Sequence, residues 1–412
     1  MQLPDSIFHS YDIRGKYGDD LTDNIALHLG KALGTYIICH IEPHSTPSVA
    51  VGRDTRPSGK SLSENFIKGV VSTGCNVVNI GNATTPMVNF SESTLKVAAG
   101  ISITASHLEE NNNGFKISFN KKPFGKDDYQ ELKKIVEMGK YEKPVSFEAS
   151  RGGGKGSVEQ KNVAEEYLNN IYSGLKLTRN KVETMSLSLG ISQDQDGDRL
   201  IVEGVEPDLL SAIFAASILE KHPKAVIVLN VASSLSVIKY IEKHGGKVQL
   251  SKTGYPNMTT SIDQSGALFG GEISGHYFFK DKHFGYSDGL YSAARLCEIL
   301  SEKDISLNQL IKQIPQYPHT PEIRVEIKDS QTAQSVVGSL IEECHKTFPE
   351  GDFLEIDGAR VTLPNKSWFL IRASGTENVI SLRVEAKTKA ELQELSKKLQ
   401  KVLTKHRVSL TL

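Results

Sequence analysis

Residues 49–80, VAVGRDTRPSGKSLSENFIKGVVSTGCNVVNI, decide the fold. They open on an apolar strand, Val49-Ala50-Val51, run on as a helix-like segment over 60–73 and close on a second strand, Val77-Val78-Asn79-Ile80. Strand, helix and strand in succession is the repeating unit of an α/β layer. Towards the N-terminus, residues 22–38 carry an amphipathic helical pattern. Towards the C-terminus, residues 98–104 read as a further strand, followed by a polar loop and Gly114-Phe115-Lys116-Ile117-Ser118-Phe119. A mixed α/β domain over about the first 145 residues is predicted.

The glycine-rich stretch at 150–157 reads as a connector. It is not a phosphate-binding P-loop, because Ala149 stands where G-x-x-x-x-G-K-[ST] needs its first glycine and Gly156 follows the lysine. A second α/β stretch follows over about 204–315, with helices at 207–221 and 233–244 and strands at 225–230 and 247–251. The remainder, about 320–412, reads as a strand, a helix at 332–346, two or three strands and a helix at 388–404, an α+β order. The division that results is 1–147, 158–203, 204–317 and 318–412.

Composition excludes several function classes. With 412 residues, 38% of them hydrophobic and 24% charged, the chain can bury several cores. A formal net charge of -1 provides no basic field for nucleic acid or an anionic membrane, so small molecules are the expected partners. Cys39, Cys75, Cys297 and Cys344 are widely spaced and are expected to be reduced thiols. No apolar run nears the ~18 residues that span a bilayer, and the start has no signal-peptide pattern, so the cytoplasm is the expected location.

The chemistry concentrates in four loops. In Gln193-Asp194-Gln195-Asp196-Gly197-Asp198-Arg199, carboxylates at every second position can converge on one hard cation. Mg²⁺ takes oxygen ligands and commonly serves phosphates, so the loop points to phosphoryl chemistry. A calcium EF-hand is excluded, since Arg199 and Val205 occupy the positions of its required Gly and Glu. Thr104-Ala105-Ser106-His107 closes a strand, where a hydroxyl is well placed to act as a nucleophile. Gly270-Gly271-Glu272-Ile273-Ser274-Gly275-His276 groups a carboxylate, a hydroxyl and an imidazole between glycines, a set suited to sugar hydroxyls. Arg372-Ala373-Ser374-Gly375-Thr376-Glu377 offers a guanidinium, two hydroxyls and backbone amides, the usual grip on a phosphate.

These loops, with Tyr11-Asp12-Ile13-Arg14-Gly15, Gly52-Arg53-Asp54 with Arg56, and Asn113-Gly114-Phe115-Lys116, occur in the order of one family. The chain resembles the α-D-phosphohexomutases, in particular the bacterial phosphomannomutase/phosphoglucomutase branch. The resemblance implies a multi-domain architecture of mixed α/β sheets and a C-terminal α+β domain around a central cleft. It implies interconversion of hexose 1-phosphate and hexose 6-phosphate, with a hexose bisphosphate activator and Mg²⁺. Ser106 would carry the phosphoryl group, and Asp194, Asp196, Asp198 and the Ser106 phosphate would hold the metal. Arg14, Lys116 and Arg199 would neutralise charge, with His107 as a proton carrier. Tyr11 would line the cleft, Glu272, Ser274 and His276 would bind sugar, and Arg372, Ser374, Gly375 and Thr376 would hold the non-reacting phosphate. Phosphoglucosamine mutase, or a catalytically impaired sugar-phosphate-binding member, is the alternative.

The chain departs from that pattern in places. The interval before Asp194 is too short for a βαβ unit of ~30 residues, so the second domain is expected to be truncated. Part of a sheet edge would then be uncovered unless another segment or a second subunit fills it, which leaves homo-oligomerisation open. Ala232 stands where a cationic side chain facing the substrate is expected, and Tyr255 where His is usual. Leu108, Glu109 and Asn378 replace the Asn-Pro and Pro of the resembled motifs.

Overall fold

The computed structural model describes residues 1–41, 46–142, 156–176, 190–303, 305–327, 332–375, 377–406 and 408. It divides into two compact units, one formed by Met1–Gly204 with His276–Asp304 and the other by Val205–Gly275 with Ile305–Leu412.

The first unit begins with β1 (Ile13–Lys16), α1 (Asp23–His40), β2 (Ser48–Arg53), α2 (Gly59–Val71), β3 (Asn76–Asn82), α3 (Thr85–Thr94), β4 (Ala99–Ile103), β5 (Asn112–Phe119), β6 (Lys122–Pro123) and α4 (Lys126–Met138). The strands predicted around 49–51, 77–80, 98–104 and 114–119, and the helices at 22–38 and 60–73, are all present. The helix α3 begins where Thr84 caps the amide of Met87 and Pro86 sits in the first turn.

One sheet runs β1-β5-β4-β2-β3-β7, where β7 is Val158–Gln160, with β6 beside β5. Its centre, β2 against β3 and β4, is parallel, while β5 is antiparallel to β4 and β1 to β5. The inner strands are buried on both faces, which is why they read as continuous apolar runs. On one side α1 lies against α2 so closely that a Cβ on Gly30 would stand 2.1 Å from the carbonyl oxygen of Phe66. Glycine at that position lets the two backbones meet.

After α5 (Ala164–Ser173), the strands β8 (Ile191–Ser192) and β9 (Ile201–Val202) pair antiparallel, so the acidic loop is the tip of a short hairpin. Ahead of this hairpin, residues 177–189 lie outside the described residues.

In the second unit α6 (Pro207–Lys221), β10 (Val226–Asn230), α7 (Leu235–Lys243), β11 (Lys247–Ser251), α8 (Tyr255–Ser265) and β12 (Phe269–Gly271) follow in alternation. Here β10 is parallel to both β11 and β12. The chain returns to the first unit for β13 (Tyr277–Phe279) and α9 (Gly289–Lys303). It ends in the second unit with α10 (Leu307–Ile311), β14 (Ile323–Glu326), α11 (Ala333–Thr347), β15 (Asp352–Leu354), β16 (Ala359–Thr362), β17 (Trp368–Ala373), β18 (Val379–Glu385) and α12 (Lys389–Lys405). These last strands form an antiparallel sheet, β14-β18-β17-β16-β15, covered by α11 and α12 through one apolar core. The α+β reading of the C-terminal stretch is matched there.

Among the described residues no helix is long and apolar enough to cross a membrane. The four cysteines are unpaired; Cys75 and Cys344 are buried, and burial raises both thiol pKa values.

Candidate active site

Ser106 leaves β4 in a left-handed conformation, with φ 52, and is fully buried. A non-glycine residue there needs support. Thr104 provides part of it: its hydroxyl accepts from the Ser106 amide at 2.9 Å and donates to Asp54 Oδ2 at 2.7 Å. Arg56 provides more, because its buried guanidinium donates to the carbonyls of Ser106, Leu108, Glu109 and Asn112 at 2.5–2.9 Å. The serine loop is therefore wound around one side chain.

The Ser106 hydroxyl donates to Asp194 Oδ2 at 3.0 Å, and His107 Nδ1 lies 3.4 Å from the same Oγ. One residue of each of two loops 88 positions apart in sequence thus meets at hydrogen-bonding distance. The acidic loop turns tightly, with the Gly197 amide donating to the Asp194 carbonyl at 3.0 Å and Gly197 at φ 73. That turn lets ligand atoms of Asp194, Asp196 and Asp198 lie within 4.8 Å of one another.

Like charges so close need compensation. Lys116, on β5, places Nζ 2.5 Å from Asp196 Oδ2 and 2.7 Å from Asp198 Oδ2. Burial works to lower the Lys116 pKa, but the two carboxylates outweigh it and hold the ammonium charged. Asp198 is likewise buried, yet Lys116 and His276 keep its carboxyl well below the usual range. Asp194 behaves differently: burial and the neighbouring Asp198 and Asp196 push it up to about 6, against the pull of Arg199 and Lys116. Arg199 Nε is 3.3 Å from Asp194 Oδ2.

The buried Asp196 Oδ1 has no hydrogen-bond partner among the described residues, although Oδ2 of the same carboxylate accepts from Thr85 and Lys116. A desolvated carboxylate oxygen inside a ring of others is what a divalent cation would satisfy. The donor set, all hard oxygens, fits such an ion.

Four further expected residues lie in this unit. Arg14, on β1, has Nε 2.6 Å from the buried Asp12 and faces Gly114 across the ladder. His107 is lowered to about 4, first by burial and then by Arg199, Arg14 and Lys116, so at neutral pH its imidazole is uncharged and able to accept a proton. His276, expected with the sugar-binding loop, has Nε2 3.3 Å from Asp198 Oδ1 and 3.2 Å from Arg199 Nε. Tyr11 is half-buried beside Asp12.

The second unit holds the other two loops. Glu272 is buried, and its Oε1 accepts from the Gly254 amide at 2.9 Å, where Gly254 adopts φ 109. Arg372 Nε donates to Asp357 Oδ2 at 2.8 Å, and the Thr253 amide donates to the same oxygen at 3.0 Å. Asp357 thereby ties the guanidinium to the loop ahead of α8. Gly358 sits beneath it at φ 68, where a Cβ would be 2.7 Å from Arg372 Cα. Ser274 and Gly375 are partly exposed and the Ser374 amide donates to Val379; Thr376 lies outside the described residues.

Ala232 is buried with Val231, Trp368 and Leu370, and its carbonyl accepts from Arg383 at 2.8 Å. Tyr255 opens α8, half-buried.

No local pattern singles out Thr85 or Asp357, and Asp54 and Gln195 stand in the sequence only inside motifs. Arg56 was visible only as part of a motif. Their roles come from hydrogen bonds to residues distant in sequence, which no local spacing signals.

Three family models match the chain: phosphoglucomutase/phosphomannomutase alpha/beta/alpha domain I over residues 5–143, alpha/beta/alpha domain III over 206–317 and the C-terminal domain over 322–402. A phosphomannomutase/phosphoglucomutase of Pseudomonas syringae pv. tomato is 32% identical, with 95% of this chain and 94% of that protein covered. A phosphoglucomutase of Neisseria gonorrhoeae is 30% identical, with 96% of each covered. The first of these alignments spans 456 positions against the 412 residues of this chain, so the relative carries segments that this chain lacks. Among solved structures, a phosphoglucomutase/phosphomannomutase family protein from Burkholderia thailandensis has a TM-score of 0.87 at 26% identity, with 100% of both chains covered.

Proposed function

The chain belongs to the α-D-phosphohexomutase family, an enzyme of phosphomannomutase/phosphoglucomutase kind, and from that premise we propose how its residues divide the work. The reaction moves a phosphoryl group between hexose 1-phosphate and hexose 6-phosphate. Phosphorylated Ser106 gives its phosphoryl group to the free sugar hydroxyl: the Oγ–P bond breaks as the sugar oxygen bonds phosphorus, and the hydroxyl proton leaves to a base. The base returns that proton to the leaving Ser106 Oγ; the bisphosphorylated sugar then presents its other phosphate, and that P–O bond breaks as Ser106 Oγ takes the phosphoryl group, the serine proton passing to the sugar oxygen that leaves.

The observation that carries this reading is the 3.0 Å contact between Ser106 Oγ and Asp194, inside the carboxylate triplet. Uncharged His107, with Nδ1 3.4 Å from Oγ, is assigned as the base, while the nearer Asp194 carboxylate is assigned to the metal. Lys116, Arg199 and Arg14 offset the charge that collects as phosphate approaches the acidic loop. A divalent cation held by Asp194, Asp196, Asp198 and the Ser106 phosphate, Mg²⁺ by its preference for carboxylate and phosphate oxygens, would draw charge from the transferring group. In the second unit, Glu272 and Ser274 are assigned to sugar hydroxyls, and Arg372, Ser374, Gly375 and Thr376 to the phosphate that is not transferred. His276 is assigned with them, and its contacts with Asp198 and Arg199 place it also beside the acidic loop. Tyr11 is assigned to the cleft wall. The four-part division of the chain at 147, 158, 204 and 318 is retained as the functional partition.

The test is a kinetic panel of mannose, glucose and glucosamine 1-phosphates with Mg²⁺ and a hexose bisphosphate activator. Turnover of mannose or glucose phosphate, lost in Ser106→Ala, is expected. Turnover of glucosamine phosphate alone would favour a phosphoglucosamine mutase, and no turnover of any by folded protein would reject the reading.

A further inference from the structure

Gln195 lies between two carboxylates of the acidic triplet and has no part in the chemistry assigned so far. Its side-chain carbonyl nonetheless accepts from Arg56 Nη2 at 2.7 Å. Arg56 is 1% exposed, and all its other acceptors belong to the first 112 residues: Asp54 Oδ2 at 3.0 Å on Nε, and the carbonyls of Glu109 and Asn112 on Nη1 and of Ser106 and Leu108 on Nη2. The guanidinium has five N–H groups and six acceptors, so it is saturated and its orientation is fixed. Its rigid fork makes it a rod between the loop that bears Ser106 and the loop that bears Asp194.

We propose that Gln195 is a positioning residue for phosphoryl transfer, latched by Arg56 so that the acidic loop keeps its register against Ser106. The inference rests on the functional reading above. Without the latch, the acidic loop still meets its surroundings through the Ser106–Asp194 hydrogen bond itself, the bond of Thr85 to Asp196 and those of Lys116 to Asp196 and Asp198. The first of these is altered whenever Ser106 gains or loses its phosphoryl group. The Arg56–Gln195 bond is not, because neither partner exchanges anything with substrate. It is thus a spacer that persists through both half-reactions. Displacement of reacting groups by ~1 Å can cost on the order of 100-fold in rate, which makes such a spacer worth holding.

Gln195 is an exposed residue, so its replacement spares the core, whereas Arg56→Lys risks the fold. The experiment compares wild type with Gln195→Ala and Gln195→Leu. Mn²⁺ affinity is measured by calorimetry, melting temperature by scanning fluorescence, steady-state kcat and KM with hexose 1-phosphate, and the single-turnover phosphorylation of Ser106 from glucose 1,6-bisphosphate by intact mass. The expected result is Mn²⁺ affinity and KM within about 2-fold of wild type, melting unchanged, and kcat and the Ser106 phosphorylation rate both reduced about 10- to 100-fold. Equal kcat in variants and wild type overturns the latch and leaves the functional reading standing. A parallel loss of Mn²⁺ affinity and kcat also overturns it, since Gln195 would then serve the metal site itself. Wild type that turns over no hexose phosphate overturns both.

Discussion

A serine held at φ 52 costs about 1–2 kcal/mol relative to the right-handed region. The cost is met by Thr104, Asp54 and Arg56, whose hydrogen bonds join them to one another and to the serine loop. The serine, the acidic triplet and the guanidinium were legible as residues because their types and spacing carry the chemistry; the partners that aim them were not. Away from the site, His319 Nε2 is 3.1 Å from Glu206 Oε1. That hydrogen bond raises the His319 pKa and lowers that of Glu206. A raised histidine pKa stabilises the fold fully below the ordinary value of 6.5 and loses that contribution as pH rises through the folded value. A lowered glutamate pKa does so above 4.5 and loses it as pH falls. The pair is therefore worth most between these limits. Glu206 is half exposed and screened by solvent, so the pair contributes on the order of 0.5 kcal/mol. Urea denaturation of wild type and His319→Gln is expected to differ by about that amount at pH 6 and to converge by pH 9.

At the scale of elements, the helices and strands that follow from hydrophobic period moved in their bounds by only a few residues, while α3, α4, α8 and α9 were not legible in it. The helix at 207–221 begins on Pro207, and the last helix begins on Thr388, whose hydroxyl accepts from the Glu391 amide while Glu391 reaches back. Period alone gave no account of glycine inside α1. In an exposed helix, Gly→Ala gains about 1 kcal/mol. Gly30→Ala is expected to do the opposite, because its Cβ would meet the Phe66 carbonyl at 2.1 Å and force α1 and α2 apart. A loss of about 1–3 kcal/mol in chemical denaturation is predicted. A gain would show that the two helices are free to move apart at little cost. The acidic hairpin was invisible in the period, since β8 and β9 are two residues each and exposed at most positions.

At the scale of the whole molecule, a cation held by the triplet would couple metal binding to folding. The unfolded chain does not gather Asp194, Asp196 and Asp198, so a cation that binds them stabilises the fold by about 2.7 kcal/mol at a hundredfold excess over its Kd. Melting is expected to rise with Mg²⁺ or Mn²⁺ and to fall back with EDTA in wild type, and to be insensitive to both in Asp196→Asn. A melting temperature indifferent to metal in wild type would count against the site. The two units differ in what they bring: the first has Ser106, the carboxylates and the cationic side chains around them, the second the Glu272 and Arg372 loops.

The order of strands and helices, the four chemical loops and the family were set by sequence alone, because periodicity, glycine placement and residue type act over short spans of chain. The tertiary structure decided which side chains contact Ser106 and the acidic triplet, and where Ala232 and His276 lie. Those assignments depend on hydrogen bonds such as Arg56 to Gln195, 139 positions apart, and a partner that distant is chosen by the way sheets and loops close in space.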